Sequence, residues 1–170
     1  MTTRSQMSEN PQSIKHIVEQ IGALSHSFVE TTLREFKEGN AQQIMYDGNG
    51  LLTGIPDATF SHRGLYGIRI TKGDRVGVAY IGKTQNDGRL RHHLSRRNKN
   101  GTALKPSVKN KYVEIRKAIE DGYEVFLCLC PDADSGAASL LYLEAVLALA
   151  ARDDFNQIFP EENHWNRRIG

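Results

Sequence analysis

Two alternating runs, Leu65-Tyr66-Gly67-Ile68-Arg69-Ile70 and Val76-Gly77-Val78-Ala79-Tyr80-Ile81, follow one another with only Thr71 to Arg75 between them. Both are rich in β-branched and aromatic residues, and both repeat with the period of two that marks a strand. The connector holds Lys72-Gly73-Asp74, residues suited to a tight turn. An antiparallel hairpin is therefore expected here, and the remaining elements are read around it.

Downstream, Asn86 or Asp87 can cap a helix running to about Arg97, with Leu90 and Leu94 on its inner stripe. Residues 98–107 read as a basic, polar loop. A second amphipathic helix is expected over Lys111 to Asp121 (Tyr112, Ile115, Ile119), closed by Gly122. Tyr123 to Cys130 reads as an apolar strand stopped by Pro131. Residues 132–137 read as a loop, Ser139 to Arg152 as a strongly apolar helix, and the tail runs through Phe155, Phe159 and Trp165 to Gly170.

Upstream, residues 1–11 are polar and expected to be disordered. From Ser13, apolar residues recur at helical spacing (Ile14, Ile17, Val18, Ile21, Leu24, Phe28, Leu33, Phe36), and Gly39-Asn40 ends the pattern. Gly22 leaves open one long helix or two short ones. Residues 41–62 read as irregular. The expected fold class is α+β: a three-stranded antiparallel sheet flanked by helices, with an N-terminal helical extension. The expected organisation is a disordered tail (1–11), a helical arm with an irregular segment (12–61) and one domain over 62–170.

The 39% apolar share of the 170 residues suffices for one compact core. The longest apolar stretch, Ala137 to Ala151, is broken by Ser139, Tyr142 and Glu144, and is too short and too polar to cross a bilayer. The start, MTTRSQMSENPQS, lacks the apolar core of a signal peptide. Cys128 and Cys130 would share one face of a strand, where a disulfide between them would be strained. They read as buried free thiols, and with neither Cys-x-x-Cys nor a second ligand pair present, zinc is not expected. The expectation is a cytoplasmic protein with no membrane association and no organic cofactor.

Charge is unevenly spread. The net charge is only +2, but residues 61–117 carry 15 basic against 3 acidic side chains, while 118–170 carry 3 against 10. Such a split points to a polyanionic partner. Three features near it can carry chemistry. Tyr66 and Tyr80 stand one in each strand of the hairpin; alone, they would be a cross-strand aromatic pair or core filler. Arg89 and His93 share a helix face at a spacing of four. Glu144 is the only charge between Asp134 and Arg152, set among Leu140, Leu141, Leu143, Val146 and Leu147. Such a carboxylate needs a cation or a basic partner, or else a partly exposed seam. Together these residues form a toolkit for phosphodiester cleavage: an arginine and a metal for phosphate charge, a carboxylate suited to Mg²⁺, and a histidine and two tyrosines to position or deprotonate water.

Gly64-Leu65-Tyr66, then Tyr80-Ile81-Gly82-Lys83-Thr84, then Arg89 with His93, then Glu144, in that order, resemble the GIY-YIG nuclease superfamily over about residues 62–170. Here GLY replaces GIY. The spacing between the tyrosines is slightly long, and that from Tyr80 to Arg89 about one residue short. The resemblance implies a three-stranded sheet and a metal-dependent DNA endonuclease, with the compact restriction-type or phage-type enzymes as its nearest branch. Glu144 would bind a single Mg²⁺ or Mn²⁺ and Arg89 would contact the scissile phosphate. Tyr66, Tyr80 and His93 would share the handling of the attacking water, with the general base left open. Lys83 would tune a tyrosine or contact a phosphate. An asparagine is also implied: Asn156 is favoured by its usual spacing after Glu144, with Asn166, in its Trp-Asn context, kept beside it. Duplex DNA is the expected partner, gripped by Arg91, Arg96, Arg97, Lys99, Lys105, Lys109 and Lys111. Asn98, Asn100 and Thr102 in the same loop are candidates for base contacts. A second copy of the chain, forming a homodimer, is the other candidate partner; a non-specific or defence/phage DNase of the same fold and a catalytically inactive DNA-binding module are the alternative functions.

Overall fold

A computed structural model describes residues 11–105, 107–131 and 137–167. All of the tail expected over residues 1–11 except Pro11, and most of the loop expected at 132–137, lie outside the described residues. In chain order the elements are α1 (Pro11–Glu38), β1 (Gln42–Gln43), β2 (Met45–Tyr46), β3 (Leu52–Thr53), a 3-10 helix (Asp57–Ser61), β4 (Gly64–Lys72), β5 (Arg75–Thr84), α2 (Arg89–Leu94), α3 (Tyr112–Glu120), β6 (Glu124–Pro131) and α4 (Ala137–Ile158).

The hairpin forms as expected. β4 and β5 pair antiparallel with Lys72 opposite Arg75, which leaves Gly73-Asp74 as a two-residue turn. Gly73 has φ +63° at the first central position, where a type II′ turn requires a positive value. A register shift between Ile68 and Arg69 bulges β5 at Ala79, and such a bulge bends and re-aims the strand.

The sheet has four strands rather than three, in the order β1-β6-β4-β5, all antiparallel. The extra strand is the short β1, whose Gln42 and Gln43 pair with Leu127 and Phe126. Two glutamines carry no hydropathy alternation; the unpaired edge of β6 recruits them. The segment expected to be irregular also contains a second, two-stranded sheet, β2-β3.

One face of the large sheet presents Tyr66, Ile68, Ile70, Val125 and Leu127 to Leu90 and Leu94 of α2 and to Ile115 of α3. The other presents Leu65, Val78, Ile81 and Cys128 to Phe36 of α1 and to Leu140, Leu147 and Ala151 of α4. α1 is one helix through Gly22. Its C-terminal end is held by Arg69, whose Nη1 donates to the carbonyls of Phe36 (3.4 Å), Lys37 (2.9 Å) and Gly39 (3.2 Å). A guanidinium there satisfies carbonyls that the helix cannot pair and complements its dipole. Lys37 adds an ion pair to Asp154 of α4 at 3.0 Å.

Three element boundaries differ from expectation. α2 stops at Leu94 because Ser95 is extended (φ −134°, ψ 153°). Its N-cap is Gly88, not Asn86 or Asp87, with no side-chain cap. α4 continues six residues past Arg152, because Phe155 carries on the inner stripe of Leu147 and Ala151 and is fully buried. Among the described residues, no helix is long and apolar enough to cross a membrane.

Candidate active site

Tyr66 sits in β4 opposite Gly82 of β5. Its ring lies across the Gly82 backbone so closely that a Cβ there would stand 2.6 Å from the Tyr66 hydroxyl oxygen. The glycine after Tyr80-Ile81 is thus the seat of the first tyrosine. Tyr66 is fully buried, and its hydroxyl is 2.7 Å from Nδ1 of His93. On its other side its ring packs against that of Tyr80, with centroids 5.9 Å apart. His93, Tyr66 and Tyr80 therefore line up as one row of rings from the interior toward the surface, with the Tyr66–His93 pair hydrogen-bonded.

Tyr80 ends that row at a cleft of about 700 Å³, lined also by Lys109, Lys111, Glu114, Glu144, Trp165 and Asn166. Glu144, on α4, is half-buried there. Burial raises its pKa; the ammonium groups of Lys109 and Lys83 and the backbone N–H of Lys83 offset part of that. Burial and the nearby Glu144 charge push the Tyr80 hydroxyl up to about 12. Tyr66 is raised further, first by burial and then by Tyr80. Both are neutral phenols near pH 7. Burial brings His93 down to about 4, with Lys109, Arg89, His92 and Lys111 adding like-charge repulsion, so its imidazole is neutral. His93 Nε2 is buried with no hydrogen-bond partner.

The edge of β5 facing α4 is closed by the chain's tail. The Asn166 side chain accepts from Ile81 N and donates to Ile81 O, both at 2.8 Å, and Trp165 N donates to Ala79 O at 2.8 Å. His164, buried, bonds Val78 O at 3.1 Å. Of the two candidate asparagines, Asn166 lines the cleft; Asn156 is exposed on α4 and is not among the lining residues.

Arg89 is exposed at the start of α2 and close enough to His93 to repel its proton. No hydrogen bond or ion pair holds its side chain among the described residues. The expected DNA-gripping residues divide. Lys105 and Lys109 are exposed. Arg91 is engaged internally, bonded to Asp57 at 3.0 Å and stacked 3.8 Å from the Phe60 ring centre. Arg97 braces its own loop through Gly101 O at 2.9 Å, Lys99 stands 3.9 Å from Asp57, and Arg96 lies over Tyr112. Lys111 is buried, 5.0 Å above the Tyr80 ring and 3.5 Å from Glu114, which places it inside the cleft. Glu114 was not foreseen as a site residue. Its spacing of three from Lys111 was the available signal.

No family model, curated protein or solved structure matches this chain.

The donor set bears on a metal. Among the described residues, no three of His, Cys, Asp and Glu gather at one point. Glu144 is a single half-buried carboxylate open to the cleft, while Glu114 is tied to Lys111. One carboxylate with room for water and a phosphate oxygen fits Mg²⁺ or Mn²⁺, which keep several waters, and does not fit a fully protein-ligated ion.

Proposed function

We propose that this chain is a divalent-metal-dependent endonuclease that hydrolyses DNA phosphodiester bonds, on the plan of the GIY-YIG nucleases that its motifs resemble, and that it cuts duplex DNA in the manner of a restriction enzyme. One observation supports this above the others. Tyr80 and Glu144, far apart in sequence, line one cleft, with the hydrogen-bonded Tyr66 and His93 behind Tyr80.

Each residue then has a task. Glu144 is the side chain that would hold the ion, which when bound supplies positive charge to the phosphate under attack. Arg89, free at the mouth of α2, neutralises a non-bridging phosphate oxygen. Lys109, on the cleft rim, adds charge that draws the backbone in. Water attacks phosphorus, the bond to the leaving oxygen breaks, and that oxygen takes a proton from solvent in the open cleft. Tyr80, at the cleft wall, orients the water through its hydroxyl, and the water's proton departs to solvent through the same cleft. His93, neutral because it is held down to about 4, fixes the Tyr66 hydroxyl and so the ring packed behind Tyr80. Lys111, over the Tyr80 ring, holds that ring in place.

The test is relaxation of supercoiled plasmid by the purified full chain with Mg²⁺ or Mn²⁺, and its suppression by EDTA. Sequencing the ends from a digest of a defined genome separates the classes: a fixed sequence at every end supports a restriction-type enzyme, and scattered ends a non-specific nuclease. DNA that is bound but left intact would reduce the chain to a binding module.

A further inference from the structure

The described residues contain a second cavity, of about 530 Å³, lined in part by Arg96, Arg97, Lys105 and Tyr112. The tight turn Ser107–Asn110 separates it from the catalytic cleft. Ser107 and Asn110 face the second cavity, and Val108 and Lys109 face the cleft. The turn is thus a ridge between two troughs, each carrying basic side chains, the cleft also holding Glu114 and Glu144.

Two features of the ridge call for an explanation. Val108, at its tip, is 97% exposed, the most exposed large apolar side chain among the described residues. The ridge is also held rigidly. Asn110 N closes the turn on Ser107 O at 3.0 Å. The Asn110 side-chain amide donates to His92 O (2.7 Å) and Ser95 O (2.8 Å), and Lys111 N donates to His93 O (2.6 Å). A single exposed apolar residue on a loose loop would mean little. Here five polar atoms fasten the turn to α2, the helix that carries Arg89 and His93, and the valine still gains no cover.

We infer that the Ser107–Asn110 turn is the base-reading element for duplex DNA, entering the major groove with Val108 against a thymine 5-methyl group. A ridge with an exposed lysine on either flank, Lys105 and Lys109, complements a groove between two rows of phosphates. Lys109 and Lys105 meet the phosphates on either side, and contacts of that kind position without specifying sequence. The thymine methyl is the apolar feature that a major groove displays to a small aliphatic side chain. Because the turn is fastened to α2, a correct base contact would also set Arg89 against the scissile phosphate. This rests on the DNA-directed reading above, though not on its cleavage step.

The test is selection of bound duplexes by the full chain from a randomised library in EDTA, comparing wild type with Val108→Ala and repeating with uracil in place of thymine. Val108 touches no core, so the variant keeps its fold. The expected result is a thymine preference at one position. Replacing thymine by uracil should weaken wild-type binding there by about fourfold, the value of one buried methyl. Val108→Ala should show neither the preference nor the uracil effect. Identical profiles for the two proteins, or no duplex binding by wild type, would overturn the inference. Binding with the expected profile but no cleavage on adding Mg²⁺ would leave the inference standing and remove the nuclease reading instead.

Discussion

Gly82 is the floor on which the Tyr66 ring rests: a Cβ at that position would stand 2.6 Å from the ring's outer carbon and from its hydroxyl oxygen. The ring cannot yield, because it is fully buried and bonded to His93. Gly82→Ala should therefore cost about 1–3 kcal/mol of stability through overpacking. It should lower cleavage by at least about a hundredfold, because ångström-scale misplacement of positioned groups is that costly. Urea denaturation and a plasmid-cleavage time course check the two effects separately. Retention of full activity would mean that the Tyr66–His93 contact has no part in the reaction.

The two asparagines should behave differently. Asn166 satisfies both backbone groups of Ile81 on the free edge of β5, whereas Asn156 is exposed. Asn166→Ala should cost about 1–3 kcal/mol, the price of unpaired backbone groups, and should depress activity by loosening the wall beside Tyr80. Asn156→Ala should fall within about 0.5 kcal/mol of wild type and cleave normally. Thermal melts and initial rates of both variants decide this.

Much of this arrangement was legible in the residues, and the reasons are particular. The hairpin announced itself through period-two alternation on both sides of Gly73. Glu144 did so as a lone charge on an apolar helix. β1 did not, because Gln42 and Gln43 have no pattern of their own and become a strand only where β6 offers an edge. The choice between Asn156 and Asn166 also depended on tertiary structure: sequence distance favoured the first, whereas the tail turns back along β5 and brings the second to the cleft. Lys111 read as one more surface cation in a basic run. Its burial over Tyr80 follows from the turn that Asn110 ties to α2.

Stability should fall on mild acidification. Burial lowers both His93 and His164 to about 4, against an ordinary value of 6.5. The unfolded chain then binds more protons than the folded one between those values. The stabilisation is complete above pH 6.5 and is lost as pH drops toward 4. It amounts to about 3 kcal/mol per histidine at most. Midpoints of urea denaturation at intervals from pH 7.5 to 4.5 should decline across this window. In His93→Asn the decline should be about half as steep.

The N-terminal arm should depend on one side chain. Arg69 Nη1 serves three carbonyls at the end of α1, and its guanidinium lies 4.8 Å from the Phe126 ring centre. Arg69→Met keeps much of the volume but leaves those carbonyls unpaired. It should cost about 2–4 kcal/mol. Amide exchange should speed up in the last turn of α1 before it does so in β4.

The most direct test is Glu144→Gln compared with wild type in two measurements on the same DNA: affinity in EDTA, and single-turnover cleavage with saturating Mg²⁺. Burial already penalises the Glu144 charge, so the neutral variant should melt at or above the wild-type temperature. It should bind DNA within about twofold of wild type, yet cleave at least about a thousandfold more slowly, as expected for loss of a principal electrostatic contribution. Cleavage at the wild-type rate by the folded, DNA-bound Glu144→Gln protein would contradict the assignment of the cleft as the active site.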